Sequence, residues 1–196
     1  KIVGISCLTP SANITYSIAR ELTKIDKNIV IVSGNIRASF FAEEILKSQD
    51  IDIIVHGEAE YTFLEITKSI LENKPINSIG GISFKENNII IHNQNIPLIE
   101  DLDKLPYPAW ELFQIGRYNF LPYNIGRGRC ISMLTSRGCP FKCIFCSLPY
   151  INKKYRTREP IRVLEEIKYV EKKYKIRQIA FVDPIFSLNK DFGIKF

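Results

Sequence analysis

The chain has 196 residues, 45% of them hydrophobic and 24% charged, with a formal net charge of +6. That is ordinary for a globular chain long enough to bury a core, and at about 100–200 residues per domain it allows one or two domains. No apolar run approaches the ~18–20 residues needed to cross a bilayer, and no signal peptide precedes the first strand-like run, so no membrane span and a cytoplasmic location are expected.

Ile2–Ser6 is a short apolar run that reads as a strand. Ile14, Ile18, Leu22 and Ile25 then recur at helical spacing. Ile29–Ser33 is β-branched and reads as a buried strand. Phe40–Lys47 reads as a short helix, Ile51–His56 as a third strand closed by Gly57, and Glu60–Glu72 as a helix with Phe63, Ile66 and Ile70 on one face. This alternation implies a parallel sheet with helices on its faces, an α/β fold of the flavodoxin-like or Rossmann-like kind. Gly81–Phe84 and Ile89–His92 flank the polar Lys85–Asn88 and predict a hairpin. The first domain is expected over residues 1–98.

Residues 99–128 change character. Pro106, Pro108, Gly116, Pro122, Gly126 and Gly128 interrupt any periodicity, which marks a linker or strap. Trp110, Phe113, Tyr118 and Phe120 imply that it packs on something. A second domain is expected over 129–196: Cys130–Thr135 as a strand, Glu159–Tyr174 as a helix with Val163, Ile167, Val170 and Tyr174 on one face, and Gln178–Val182 as a strand. That is a strand–helix–strand opening, too short to close a barrel, which takes about 200 residues or more. The chain starts at Lys1 without a Met and stops soon after a strand-like run, so a piece of a longer protein is expected.

The stretch 151–177 holds ten Lys or Arg against four Glu. Its tyrosines, Tyr155, Tyr169 and Tyr174, lack the spacing of a base-stacking platform, so a solvated helix face is expected there and not a nucleic-acid site.

Five cysteines are an odd number, and three of them, Cys139, Cys143 and Cys146, lie within eight residues. A disulfide framework does not suit that pattern; metal ligation does. Cys7 and Cys130 lie in apolar runs and read as buried packing residues. A cubic [4Fe–4S] cluster wants one thiolate per iron. Three cysteines spaced by three and two residues wrap one cube and leave one iron open to a small chelating ligand. A structural zinc site would want four ligands, and the only histidines, His56 and His92, are remote in sequence.

The segment Thr135-Ser-Arg-Gly-Cys-Pro-Phe-Lys-Cys-Ile-Phe-Cys-Ser147 resembles the signature of the radical S-adenosylmethionine (SAM) superfamily, Cys-x3-Cys-x2-Cys with an aromatic before the last cysteine. The resemblance implies a partial TIM barrel, a [4Fe–4S] cluster on Cys139, Cys143 and Cys146, and SAM chelating the open iron, with Phe145 near the adenine. It implies that one electron cleaves SAM to methionine and a 5′-deoxyadenosyl radical. Phe181-Val-Asp-Pro-Ile-Phe-Ser-Leu-Asn189 is similar to the family's segment after the second barrel strand, in which Asp183 would meet the SAM amino group; Pro184 stands where a second Asp is usual. A turn or cap is the structural alternative for Asp183.

Residues 1–98 resemble the cobalamin-binding domain that precedes many radical SAM barrels. Ser6 and Leu8 form its Ser-x-Leu element, Ser33-Gly34 stands at its Gly-Gly position, Asp52–Glu60 matches its Asp-x-Val-Val-x-Gly-Glu-x-Glu wording, and Leu102–Pro108 its Leu-Pro-x-Pro strap. The resemblance implies cobalamin contacts at Ser6, Leu8, Gly34, Gly57 and Glu58. Asn35 departs from the family pattern, and the Asp-x-His-x-x-Gly element that carries the lower cobalt ligand is not in the chain.

The expected function is therefore a radical SAM enzyme with a [4Fe–4S] cluster, SAM and cobalamin, catalysing methyl transfer or cyclisation of a small-molecule substrate with a flavodoxin or ferredoxin as electron donor. Two alternatives stand beside it. A methylthiotransferase acting on RNA or protein should carry three more cluster cysteines, and residues 1–100 hold only Cys7. A non-catalytic cobalamin-binding or electron-transfer remnant is the other.

Overall fold

A computed structural model describes residues 1–94, 96–118, 128–151, 154–186, 188–190 and 193. Phe120, Pro122 and Gly126, singled out in the strap, lie outside the described residues. The chain forms two compact units, Lys1–Leu98 and Ile99–Phe196, each with its own core.

In the first unit the strands are β1 (Ile2–Ser6), β2 (Val30–Gly34), β3 (Ile53–Val55), β4 (Ile82–Glu86) and β5 (Ile89–His92). They form one sheet in that order. The expected parallel sheet holds for β1, β2 and β3, but β4 and β5 extend it antiparallel, so the sheet is mixed. A hairpin turn sets the β4–β5 pair: Asn87 and Asn88 both take positive φ (49° and 64°), the backbone of a two-residue turn that returns β5 beside β4.

Successive strand residues point to opposite faces. Ile31 and Ile54 face one side, where α1 (Ala12–Ile25), α2 (Ile36–Phe40) and α3 (Ala42–Ser48) bury Ala19, Ala38 and Ile45. Val32, Ile53 and Val55 face the other, against α4 (Glu60–Leu71) through Ile66. The helix expected over 40–47 is present as α3, and the unexpected α2 precedes it, the two separated at Phe41, whose φ/ψ of −115°/30° leaves the helical region.

The helix read from Ile14, Ile18, Leu22 and Ile25 is present, but its facing differs from that of an apolar core stripe. Ile14 and Ile25 are 65% and 77% exposed. The core face is Ala12, Thr15 and Ala19. Small side chains let the helix lie close on the sheet, and the Thr15 hydroxyl donates to the Ser6 carbonyl at 3.1 Å. On the opposite face, Gly4 serves a similar close approach: a Cβ there would meet the Phe63 ring at 3.2 Å.

The second unit is built on β6 (Arg129–Met133) and β9 (Ile176–Phe181), parallel neighbours joined through α6 (Pro160–Tyr174). Between them lie β7 (Ser136–Arg137), the cysteine loop, α5 (Leu148–Ile151) and β8 (Arg156–Thr157), with β7 and β8 paired antiparallel. Ile131 and Met133 of β6, Val163 and Val170 of α6, and Ile176 of β9 make the core.

Residues 99–118 pack on this core through Trp110 and Ile115. The anchor is polar. Glu166 on α6 is 1% exposed. Its carboxylate accepts the Trp110 indole N–H at 3.1 Å and pairs with Arg158 Nη1 at 2.7 Å. Arg158 Nε also lies 3.8 Å from Asp103, and Asp103 accepts the Glu159 N–H at 2.7 Å. Apolar periodicity does not reveal this anchor, because Glu166 occupies a core position of a helix that reads as amphipathic.

Removing one member of a buried pair leaves the other charge without a partner. Glu166→Ala is expected to destabilise the chain by about 3–5 kcal/mol, more than Glu166→Gln, in urea unfolding. A loss below about 1 kcal/mol, the range of an exposed pair, would contradict the anchor.

Candidate functional site

The carboxyl ends of β1, β2 and β3 share one edge of the first sheet, the edge at which such sheets bind ligands. Ser6 closes β1 and is in register with Gly34, which closes β2. Ser6, Leu8, Gly34, Gly57 and Glu58 all fall on or just after these strand ends. Leu8 is exposed. Gly57 takes φ +68°, and a Cβ there would meet nothing within 4 Å, so space opens beside it. At Gly34 the nearest atom to such a Cβ is the Val55 carbonyl at 3.6 Å, an ordinary contact.

Asn35, where the sequence departs from the family pattern, is active in this edge. Its side-chain amide donates to the Ser6 hydroxyl at 3.1 Å, and its carbonyl accepts the Ile36 N–H at 2.7 Å. Its φ/ψ of 81°/−179° lies outside the left-handed helical well, in a region that is essentially confined to glycine. Asn35 therefore ties the ends of β1 and β2 together.

The two histidines, remote in sequence, meet across the hairpin. His56 Nε2 lies 2.6 Å from the Ser83 hydroxyl, and His92 Nδ1 lies 2.7 Å from the same oxygen. Ser83 is fully buried. A hydroxyl donates one proton, so one imidazole must donate to it and the other accept. Burial, and then the charge of His92, push the His56 imidazole below its ordinary value.

In the second unit, β6 runs into the cysteine loop through Thr135 and Ser136. Both are buried, and both are held by Asp183, two residues beyond β9. Asp183 Oδ1 accepts the Thr135 N–H at 2.9 Å and its hydroxyl at 2.8 Å, together with the Ser136 N–H and, at 2.6 Å, the Ser136 hydroxyl. The other oxygen, Oδ2, is closed off from solvent and has no hydrogen-bond partner among the described residues. On the far side, the Thr135 carbonyl accepts the Arg158 N–H at 2.8 Å. Gly138, at φ +84°, then turns the chain toward Cys139.

Cys139 and Cys146 are half-buried and Cys143 is exposed; all are free thiols. The Cys146 N–H donates to the Cys143 carbonyl at 3.1 Å, a tight turn between two of them. Among the described residues, no three Cys, His, Asp or Glu side chains converge tightly enough to hold a metal ion, so the thiols share a loop and not a finished cage. Their chemistry suits a soft metal cluster. Phe141, Ile144 and Phe145 project from the same loop, Phe145 at 89% exposed. Cys7 and Cys130 are buried, as packing residues should be. Among the described residues, no helix is long and apolar enough to cross a membrane.

Comparison with known proteins bears on both units. A family model for the B12 binding domain matches residues 1–67, and one for the radical SAM superfamily matches residues 133–196. The uncharacterised methyltransferase PH0819 of Pyrococcus horikoshii is 33% identical over 193 residues, 96% of this chain and 40% of that protein. The anaerobic magnesium-protoporphyrin IX monomethyl ester cyclase of Rubrivivax gelatinosus is 30% identical over 203 residues, 100% of this chain and 35% of the cyclase. The chain thus spans less than half the length of these relatives. Among solved structures, the cobalamin-dependent SAM radical enzyme OxsB with aqua-cobalamin bound matches with a TM-score of 0.77 at 21% identity, over 95% of this chain and 26% of OxsB. The radical SAM methyltransferase TsrM from Kitasatospora setae, with cobalamin and a [4Fe–4S] cluster bound, matches with a TM-score of 0.71 at 19% identity, over 97% of this chain and 38% of TsrM. At these identities the likeness is one of fold.

The His56 geometry has a measurable consequence. A histidine whose folded pKa lies below its unfolded value binds fewer protons when folded, so its contribution to stability is complete above about pH 6.5 and is lost as pH falls below that. The unfolding midpoint is expected to drop from pH 7.5 to pH 5.5, and His56→Gln to flatten that drop. An equal slope in the variant would contradict the shift.

Proposed function

Because the chain joins a B12-binding domain to a radical SAM segment, we propose that it belongs to an enzyme that holds a [4Fe–4S] cluster, SAM and cobalamin and catalyses methyl transfer or cyclisation of a small-molecule substrate. The observation that carries this reading is the cysteine loop: three free thiols within eight residues at the end of a strand, rooted on the half-buried Asp183 carboxylate. With cluster and SAM bound, the site would supply a 5′-deoxyadenosyl radical, and cobalamin a carrier for a methyl group.

The chain's own residues would do the following. Cys139, Cys143 and Cys146 give three thiolates and leave one iron for SAM. Asp183 Oδ2, shielded from solvent and without a hydrogen-bond partner among the described residues, suits an N–H of the SAM amino group, because a buried acceptor left without a donor is unfavourable. Phe145 offers an exposed flat apolar face for the adenine. In the first unit Ser6, Leu8, Gly34, Gly57 and Glu58 would line the cobalamin, with open space beside Gly57 admitting a bulky flat ligand.

A flavodoxin or ferredoxin is the electron donor that suits such a cluster. The cytoplasm is the compartment that suits five free cysteines. The methylthiotransferase alternative finds no support in the first unit, where Cys7 is fully buried and alone.

The test is anaerobic reconstitution with iron and sulfide. About four irons per chain are expected, with a broad visible absorption, and replacement of Cys139, Cys143 or Cys146 by Ala is expected to abolish stable loading while Cys130→Ala leaves it intact. A chain that takes up no iron, or whose loading ignores the three cysteines, would refute the cluster.

A further inference from the structure

The chain has only two histidines, and the fold brings both to one hydroxyl. Strand register does this. Ile54 of β3 pairs with Ser83 of β4, and Ser83 pairs with His92 of β5. His56 lies two residues past Ile54, on the same face, and its backbone N–H donates to the Gly81 carbonyl at 2.8 Å. The hydroxyl between the rings is fully buried, His56 is half-buried, and the His92 side chain is 48% exposed. At the outer end of the row, Glu43 Oε1 of α3 lies 3.6 Å from His92 Nε2. The other charges on this face have partners of their own or face water. Lys47 bonds the second Glu43 oxygen at 2.9 Å, Glu44 lies 3.7 Å from Arg37, Tyr16 of α1 accepts from Arg37 at 3.1 Å, and Lys85 of β4 is exposed.

The proton count of the row follows from its chemistry. Neutral His92 keeps its ring proton on Nε2, because a bare nitrogen there would set a lone pair against the Glu43 carboxylate. Its Nδ1 is then an acceptor, the Ser83 hydroxyl donates to it, and His56 donates to Ser83 from Nε2. His56 Nδ1 is left as an acceptor. A proton that arrives at His56 Nδ1 passes along the row in two hops. The Nε2 proton of His56 moves to Ser83 Oγ, and the Ser83 proton moves to His92 Nδ1. One proton has entered at His56, one charge appears on His92, and His56 is neutral again with its proton on Nδ1. The charge rests at that end because burial disfavours it on His56, while Glu43 faces it on His92. A second proton does not fit. Two imidazolium rings would both donate to Ser83 Oγ, and the buried hydroxyl hydrogen would have no acceptor.

We propose that His56, Ser83 and His92 form a single-proton relay across β3, β4 and β5: a proton held on His92 makes His56 Nδ1 a donor, and its loss makes the same nitrogen an acceptor. His56 directly precedes Gly57 and Glu58 at the end of β3, so the relay carries the protonation of a solvent-facing ring to the ligand edge of the sheet. The relay depends on neither the cluster nor cobalamin.

Long-range proton–nitrogen correlation of the two imidazoles in the 196-residue chain, from about pH 8 to about pH 5, reads tautomer and charge together. His92→Gln assigns the signals. At the upper end both rings are expected as the Nε2–H tautomer. As pH falls, His92 is expected to charge, while His56 stays neutral and converts to the Nδ1–H tautomer with the same midpoint. In Ser83→Ala the His56 tautomer is expected to ignore the His92 midpoint. Glu43→Ala alters an exposed side chain and leaves nothing to fix the neutral His92 proton on Nε2, so His56 is expected at pH 8 as a mixture of tautomers. A His56 that charges together with His92, or that keeps one tautomer through the His92 titration, overturns the proposal, as does a wild-type His56 signal at pH 8 in Glu43→Ala. If Ser83→Ala fails to fold, His92→Gln decides: a His56 tautomer that no longer changes with pH supports the relay, and a change at the wild-type midpoint overturns it.

Discussion

The second unit depends on a single carboxylate. The cysteine loop has little packing to define it: Phe141, Ile144 and Phe145 face outward, Cys143 is exposed, and Cys139 and Cys146 are half-buried. What gives such a loop a fixed point of departure is Asp183, which grips Thr135 and Ser136 by four hydrogen bonds. β6 and β9 are parallel neighbours, and that adjacency brings position 183 to position 135. The strand pairing therefore fixes the root of the cysteine loop through one side chain.

A different economy governs the first unit. Its candidate edge follows from topology: three parallel strands end together, and the residues proposed to meet cobalamin sit on or just past those ends. Asn35 joins two of these ends through Ser6, and Gly57 leaves the third open. The antiparallel hairpin of β4 and β5 adds a fully buried serine between two imidazoles, on the same sheet face as the buried Ser33.

Much of this was legible in the sequence because it rests on local signals. Strand alternation, the helix of residues 160–174 and the Asn87-Asn88 turn are written in neighbouring residues, and the three cysteines are close in sequence because one loop must hold them. What was not legible depends on contacts far apart in the chain. The facing of α1 was misleading, since its isoleucines look like a core stripe, yet small Ala12 and Ala19 make the closer contact. Glu166 at a core position makes sense only with Arg158 and Trp110 beside it. The extension of the sheet by the hairpin is a tertiary choice that periodicity does not encode. For Asp183 the turn-or-cap reading is met by Oδ1, and Oδ2 is the oxygen proposed for the ligand.

The central claim is that Cys139, Cys143 and Cys146 hold a cluster with one iron open to SAM. Electron paramagnetic resonance of the reconstituted, chemically reduced chain tests it most directly, because the signal of a reduced cluster responds to a ligand on its own iron. The expected result is a cluster signal whose g-values shift on titration with SAM. A signal that SAM leaves unchanged, or a reduced chain with no cluster signal, would contradict the claim.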